Sequence, residues 1–181
     1  MWAGIKHAIN DTLGTQDFKS INQLLDNAEK RIRIQAYDSY YFMMKNSVPK
    51  EETHIYDYSI ISLSEPRYSA GNQNTTTKNI ILPSTCIELG WQCLSFYTNV
   101  NAIILPPSLM KIGSRAFFAC SNIESIRLPK FLKEMDMNAL NGMTNLKYIF
   151  CEFSENYAIE KLTYFEDYKW GVSSASVVFE G

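Results

Sequence analysis

The chain has 181 residues, 17 basic and 19 acidic side chains and a net charge of −2, so it offers no clustered basic face for nucleic acid. No apolar stretch reaches the ~20 residues of a membrane-spanning helix, and the N-terminus MWAGIKHAIN lacks the long apolar core of a signal peptide. We therefore expect one soluble domain with a small appendage that neither inserts into membranes nor follows the ordinary secretory route.

The N-terminal residues predict two amphipathic helices. Apolar residues recur every three or four positions from residue 2 to 13, and Gly14 ends this first segment. A second helix is predicted over 17–31, with an apolar stripe from Phe18 to Ala28 that must be buried on the same molecule or on another copy. Residues 1–45 are thus predicted as an attachment or oligomerisation segment. The candidate oligomerisation residues are Trp2, Ile5, Ile9, Phe18, Ile21, Leu24 and Leu25.

The segment that follows has a weaker pattern. Residues 31–41 alternate in polarity and predict a strand, and residues 56–63 predict another. Residues 64–78 are rich in Ser, Asn, Thr and Gly and predict an irregular loop. We therefore interpret 46–79 as an irregular linker and an N-terminal cap for the unit that follows.

A 23-residue period dominates the next part of the chain. Leu82, Leu105 and Leu128 are each followed by Pro and lie 23 residues apart. A fixed period of this size indicates stacked repeats, so we predict a solenoid over 80–164. The apolar columns with the same offset are Leu89, Ile112 and Met135; Leu94, Phe117 and Leu140; Val100, Ile123 and Leu146; and Ile103, Ile126 and Ile149.

Each coil has a predicted order of local structure. Residues 125–128 alternate as a strand with Arg127 pointing outward, Gly113 permits a tight bend, and 114–120 favour a short helix. One coil cannot bury its apolar side alone, so matching columns are the expected result of stacking. Residues 165–181 are predicted as a capping strand.

The cysteines match no metal or redox spacing. Cys86, Cys93, Cys120 and Cys151 include no Cys-x-x-Cys pair. Three of them lie within the repeats, and Cys93 and Cys151 occupy columns that are apolar in other copies, which favours buried free thiols. A disulfide between neighbouring coils is the alternative.

No catalytic constellation is visible. His7 falls on a predicted helix and His54 in a polar loop, and neither forms a pattern with Cys, Ser or Asp. Both are predicted to be surface residues. The glycines are scattered and form no phosphate cradle. We predict a protein that is not an enzyme and that has no cofactor and no metal.

The repeat unit resembles the BspA-like leucine-rich repeats of bacterial surface proteins. The middle copy carries Leu105-Pro106, Ile112-Gly113, Ala116-Phe117, Cys120 and Asn122. The two outer copies depart from this repeat pattern: both lack the Phe, and in the last copy Asp136 replaces the Gly. The resemblance implies an α+β fold, a short leucine-rich-repeat solenoid of parallel strands and short helices. It also implies a binding or adhesion scaffold, and the closing segment around Trp170 is similar to the tail that ends such arrays.

The N-terminus carries a second, shorter resemblance. Residues 2–15, WAGIKHAINDTLGT, followed by Asp17-Phe18-Lys19, resemble the opening of minor structural or tail-associated proteins of bacteriophages and prophages of Gram-positive gut bacteria. This implies a virion protein that is cytoplasmic during assembly.

The outward strand positions form the candidate binding surface. An apolar and aromatic surface around one Arg has the composition of interface hot spots. Cover by the N-terminal segment is the competing interpretation of the same face. The candidate ligand-binding residues are Ile81, Ile104, Arg127, Tyr148 and Phe150.

Two functional hypotheses follow. The first is a tail-associated virion protein that displays the solenoid to a protein or glycan surface ligand and assembles with itself or with virion proteins. The second is a bacterial BspA-like interaction or adhesion module at the cell surface or in the cell, without a virion.

Overall fold

A computed structural model of the chain describes residues 18–47 and 51–181, with side-chain burial from residue 23 onward. Its helices are α1 (Phe18–Ser47) and α2 (Glu155–Lys161), with a 3-10 turn at Lys169–Gly171. Its strands are β1 (Thr53–Ile55), β2 (Ser62–Leu63), β3 (Asn79–Ile81), β4 (Glu88–Leu89), β5 (Ala102–Ile104), β6 (Lys111–Ile112), β7 (Ser125–Leu128), β8 (Glu134–Met135), β9 (Tyr148–Cys151) and β10 (Ser176–Phe179).

The strands stack in two parallel columns, which confirms the predicted solenoid. One column contains the sheets β1-β3-β5 and β7-β9-β10, and the other contains the four-stranded sheet β2-β4-β6-β8. The register follows the sequence period, because Ile80 pairs with Ile103 and Ile126 pairs with Ile149. Each turn of the chain therefore adds one strand to each column.

The repeat columns form one continuous core between the two strand columns. Ile103, Ile126 and Ile149 point inward from the first column, and Leu89, Ile112 and Met135 point inward from the second. The predicted apolar columns are all buried. Since each side chain packs on its equivalents in the neighbouring coils, the core extends along the stack.

The cysteines are part of this core. All four are free and buried, which confirms the interpretation as free thiols. The Cys120 thiol donates a hydrogen bond to the Leu94 carbonyl at 3.0 Å. Burial raises the pKa of Cys86 to about 11 and that of Cys93 to about 12, so these thiols stay protonated at neutral pH and act as small apolar residues.

The helix predicted over 114–120 is wrong. Residues in the left-handed region interrupt that segment, namely Arg115 at φ 52° and Ala119 at φ 61°. Gln92 and Phe96, 23 residues earlier, have the same conformation. The segment consists of turns, and it bonds to the next coil through the Arg115 amide, which donates to the Asn138 carbonyl at 3.0 Å.

Two glycines lie at close contacts between neighbouring coils. Gly142 continues the left-handed column of Phe96 and Ala119, and a Cβ atom there would lie 2.7 Å from the Phe118 ring. A Cβ atom on Gly113 would lie 3.0 Å from the backbone of Gly90 in the coil below. The coils thus approach each other at backbone distance on both sides of the core.

The strand predicted over 31–41 is also wrong, because this segment belongs to α1. The alternation of polarity indicates a strand, but a second pattern indicates a helix. In this pattern one face is formed by residues four positions apart, Glu29, Arg33, Tyr37 and Tyr41. All four bond to other parts of the protein. Tertiary contacts along that face favour the helix over the strand.

The segment predicted as linker and cap contains an additional coil. β1 pairs with β3 and β2 pairs with β4, both in parallel, so the strand columns begin at Thr53 rather than at residue 80. The strand predicted over 56–63 is instead a turn followed by the two residues of β2. The predicted loop at 64–78 is irregular apart from the bridges Ser69 to Asn72 and Asn74 to Tyr97.

The C-terminal segment extends the stack. β10 pairs in parallel with β9, and the Trp170 carbonyl accepts a hydrogen bond from the Leu140 amide at 2.9 Å. The Trp170 ring is buried, and its indole N–H donates to the Leu162 carbonyl at 2.8 Å. This segment therefore takes the place of a further coil beside β9 and beside the turn at Leu140.

Candidate binding surface

Helix α1 lies along the turns that follow the first strand column. The Tyr41 hydroxyl donates to the Tyr56 carbonyl and the Tyr37 hydroxyl donates to the Leu82 carbonyl, each at 2.5 Å. Further towards the start of the helix, Glu29 bonds to Lys130 after β7. The helix therefore crosses successive coils from its C-terminal part to its N-terminal part.

The helix and the stack have compatible spacings. Four helical residues rise by about 6 Å, whereas neighbouring parallel strands lie about 4.8 Å apart. The four residues from Tyr41 to Tyr37 cover one coil, and the eight from Tyr37 to Glu29 cover two. A slightly inclined helix can thus contact every coil with residues of one face.

Asp38 ties the helix to the first two coils. Its Oδ1 atom accepts hydrogen bonds from the Tyr58 hydroxyl at 2.9 Å and from the Ser84 hydroxyl at 2.5 Å. Burial and the hydrogen bond to the Asp38 carboxylate raise the pKa of Tyr58 to about 12. The phenol stays protonated and remains a donor at neutral pH.

A second polar cluster holds the middle of the helix, around Glu29 and Arg33. Glu29 is buried, and its carboxylate bonds to the Lys130 ammonium at 2.7 Å and to the Arg33 guanidinium at 3.0 Å. Arg33 also bonds to Glu152 at 3.0 Å. Burial raises the pKa of Glu29, but the hydrogen bonds from Lys130 and Arg33 outweigh it, so the pKa lies below the usual value.

The helix covers only one half of the first strand column. Ile81 is 1% exposed and Ile104 is half-buried, whereas Tyr148 and Arg127 are exposed. Tyr37 of α1 bonds to the Leu82 carbonyl directly after Ile81, and Ile104 lines a cavity together with Tyr37 and Tyr40 of α1. The competing interpretation of the sequence, cover by the N-terminal segment, holds for this half.

A break in the strand column coincides with the edge of the helix. Within residues 51–181 the first column divides into two three-stranded sheets, and no ladder pairing joins β5 to β7. A cavity of about 470 Å³ lies at this break. Its walls are mainly apolar, and its lining includes Tyr40, Ile104, Leu105, Pro107, Arg127 and Glu152.

An aromatic patch, formed by the exposed Arg127 and Tyr148 and the half-buried Phe150, adjoins the cavity. The Tyr148 and Phe150 rings are stacked, with centroids 6.0 Å apart and an interplanar angle of 24°. The Arg127 guanidinium lies 5.2 Å from the centroid of the Phe150 ring, within the range of a cation–π contact. Register brings them together, because Arg127 on β7 pairs with Phe150 on β9.

Carboxylates hold the arginine of this patch. Arg127 forms ion pairs with Glu180, after β10, and with Glu152 at 4.0 Å. The hydrogen bond that Arg127 donates to Glu180 and the charges of Glu180 and Glu152 raise the pKa of Arg127. The guanidinium is thus fixed over Phe150 and is shared between the patch and the cavity.

The structure brings together three of the five predicted ligand-binding residues in the patch and places Ile104 in the adjoining cavity, while Ile81 lies apart under α1. The sequence offers Tyr37 and Tyr40 as part of a second, tyrosine-rich candidate surface, but the strand predicted over 31–41 hides the helix that brings them to this cavity, and the contribution of Glu152 was missed. The i, i+4 spacing of polar and aromatic residues from 29 to 41 is the signal that could have found the helical wall.

The predicted oligomerisation residues fall into several groups. Trp2, Ile5 and Ile9 lie outside the described residues, and the side chains of Phe18 and Ile21 are not among those described. Leu24 is 66% exposed and Leu25 is half-buried. Ile32, two turns beyond Leu24 on α1, is also exposed.

The structure describes one of the two histidines that are predicted to lie at the surface. His7 lies outside the described residues. His54 is half-buried, with its ring 4.3 Å from that of Tyr56 and its Nε2 atom 3.2 Å from Arg67. Burial, together with the Arg67 charge, lowers the pKa of His54. Among the described residues, no group of three or more His, Cys, Asp and Glu side chains could hold a metal ion.

A family profile for the BspA type leucine rich repeat region matches residues 69–169 in six copies, more than half of the chain. The chain belongs to the BspA-type leucine-rich repeat family. The repeat columns and the family match therefore identify the same part of the protein. In the part that the structure covers, no helix of this BspA-type protein has the length and apolar character of a membrane span.

Two solved structures are similar to this BspA-type protein. A leucine rich cell surface protein from Faecalibacterium prausnitzii A2-165 shares 11% identity at a TM-score of 0.53, over 71% of this chain and 32% of that protein. The pneumococcal vaccine antigen PcpA shares 12% identity at a TM-score of 0.42, over 72% of this chain and 42% of that protein. The first likeness supports the fold. No curated protein matches the chain significantly.

Replacing Glu29 with Gln tests how α1 is attached. Loss of its charged hydrogen bonds to Lys130 and Arg33 is expected to lower the free energy of unfolding by about 1–2 kcal/mol at pH 7. Because the pKa of Glu29 is lowered in the folded state, its contribution is complete above the unfolded pKa and is lost as the pH falls through the folded pKa. Urea denaturation at pH 7 and at pH 3 measures both effects.

The matched control is Glu65→Gln, since Glu65 is an exposed carboxylate. It is expected to change stability by less than about 0.5 kcal/mol at either pH. An effect of Glu29→Gln equal to that of the control, or an effect that does not shrink in acid, would contradict the described attachment of the helix.

Proposed function

We propose that this chain is a non-enzymatic binding module that contacts a surface ligand, a protein or a glycan, through the aromatic patch of Arg127, Tyr148 and Phe150. The observation that carries the proposal is the division of the strand column. Helix α1 covers the half that contains Ile81, while Tyr148 remains 48% exposed. A large aromatic side chain left open beside a fixed arginine is typical of an interface.

The composition of the patch supports contact rather than catalysis. Tyr and Phe provide large contact areas, and Tyr adds a polar tip. Arg127 is already held by Glu152 and Glu180, so it loses little conformational freedom when a ligand binds. Membership of the BspA-type repeat family also supports a binding scaffold.

The cavity beside the patch gives the ligand an anchoring point. At about 470 Å³ it falls within the usual range of small-ligand pockets. Its wall of Ile104, Leu105 and Pro107 suits an apolar group, and Arg127 joins it to the patch. A ligand lying across the patch can therefore insert one apolar group under the edge of α1.

Substituting the two aromatic residues tests this function. We expect wild-type protein to bind at least one member of a panel of immobilised host-surface proteins and glycans in biolayer interferometry. Tyr148→Ala combined with Phe150→Ala should weaken that binding by about tenfold or more, because it removes the exposed Tyr148 ring and the half-buried Phe150 ring stacked on it. Trp91→Ala is the matched control, since Trp91 is another exposed aromatic residue, 55% exposed, outside this patch.

The control should bind like the wild type. Equal binding by the wild type and by the double variant would show that the ligand uses another surface. Equal losses in the double variant and in Trp91→Ala would point to nonspecific adsorption by exposed aromatic rings.

The module's location is part of the proposal. The similar protein from Faecalibacterium prausnitzii A2-165 is described as a cell surface protein, which favours display on a bacterial surface. A virion location rests on residues 2–15, which resemble minor structural proteins of phages. In that case, the exposed Leu24 and Ile32 of α1 are available for contact with virion proteins or with another copy.

The protein composition of purified phage particles distinguishes a virion location from a cell-surface location. If the protein is tail-associated, mass spectrometry of density-purified particles from the host should detect it, and Leu24→Glu should remove it from them. Tyr148→Glu, with the same charge added outside α1, is the control and should leave it in place. Recovery of the chain only in washed cell-surface fractions, with none in the particles, would reject the virion location.

A further inference from the structure

A polar depression of about 570 Å³ lies beside the aromatic patch, where the chain enters β9 and β10. It is separate from the cavity under α1, and no residue lines both. Its size falls within the range of small-ligand pockets. Its lining includes Glu124, Asn145, Lys147, Tyr148, Ser174 and Ser176.

Tyr148 forms the aromatic rim of the depression. It is the first residue of β9, and its neighbours in register are Ser125 on β7 and Ser176 on β10. These serines are too small to cover a phenol ring, so Tyr148 stays 48% exposed. Phe150 stacks on it from further along the strand, whereas the depression is lined by residues that precede or begin the strand.

The charges of the depression cancel. The Lys147 ammonium and the Glu124 carboxylate form an ion pair at 2.8 Å, and both side chains are largely exposed. The other polar lining groups are an amide and hydroxyls, which both donate and accept hydrogen bonds. The site therefore favours a neutral ligand that has many hydroxyl groups over an anion or a cation.

We propose that this depression binds one neutral pyranose unit of a glycan, stacked on Tyr148. A pyranose ring has a face of C–H groups that packs on an aromatic ring, as apolar groups do, and a rim of hydroxyls that are both donors and acceptors. Asn145 and Ser174 line the depression and supply partners for such hydroxyls, and the Glu124–Lys147 pair offers an acceptor and a donor together. This inference rests on the proposed function and names its ligand class.

The chemistry of the lining argues against an apolar peptide at this position. The depression exposes mainly polar groups, whereas the cavity at the β5–β7 break is mainly apolar. An apolar side chain would gain little from burial among hydroxyl and amide groups. The two concavities on either side of the aromatic patch thus suit different parts of a ligand.

Saturation-transfer NMR on the full chain tests the proposal with the methyl glycosides of glucose, galactose, mannose and N-acetylglucosamine as probes. At least one glycoside should receive saturation from the protein, strongest at the ring C–H protons that face Tyr148. Tyr148→Ala should raise the dissociation constant of that glycoside by about tenfold, which corresponds to the loss of an aromatic contact. Tyr148→Phe keeps the ring and should change it by less than about threefold.

Two further variants locate the site. Asn145→Ala should weaken glycoside binding, whereas Phe131→Ala, at the turn after β7 near Lys30 of α1, should not. Absence of saturation transfer to all four glycosides, or equal binding by wild type and Tyr148→Ala, would overturn the proposal. If a protein ligand still depends on Tyr148 and Phe150 while no glycoside binds, the inference fails but the proposed function stands; if neither binds, both fail.

Discussion

The 23-residue register between coils is the constraint on which the rest of the structure depends. A single coil cannot bury its own apolar side, so Ile103, Ile126 and Ile149 have to lie one above another for a core to exist. The same register brings outward residues into line, which is why Arg127 meets Phe150 and why Tyr148 lies between two serines. Surface chemistry here is therefore a by-product of core stacking.

Helix α1 is the second feature that shapes the surface of the stack. Stacking leaves a row of turns after the first strand column, and α1 crosses this row with contacts from Tyr41, near its C-terminal end, to Glu29, near its middle. It thereby covers Ile81, narrows the approach to Ile104 and leaves Tyr148 open. The position of α1 decides which of the equivalent strand positions can meet a ligand.

Buried positions that recur in several coils could be predicted from the sequence, whereas the backbone conformation of several segments was predicted wrongly. Equivalent positions in several coils identified the buried columns and the free cysteines. The role of 31–41 was missed because its alternation resembles a strand, and only contacts with distant turns show that Arg33 and Tyr37 face one way. The turns at 114–120 were missed because helix-forming residues such as Arg115 and Ala119 adopt left-handed conformations imposed by the next coil.

The covered and open halves of the strand column are most directly tested by hydroxyl-radical footprinting of the full chain with residue-level mass spectrometry. The account predicts fast modification of Tyr148 and strong protection of Tyr41, which lies on the face of α1 that packs on the coils and is completely buried there. Comparable modification rates at Tyr41 and Tyr148 would show that α1 does not rest on the coils in solution, and would contradict the division of the surface.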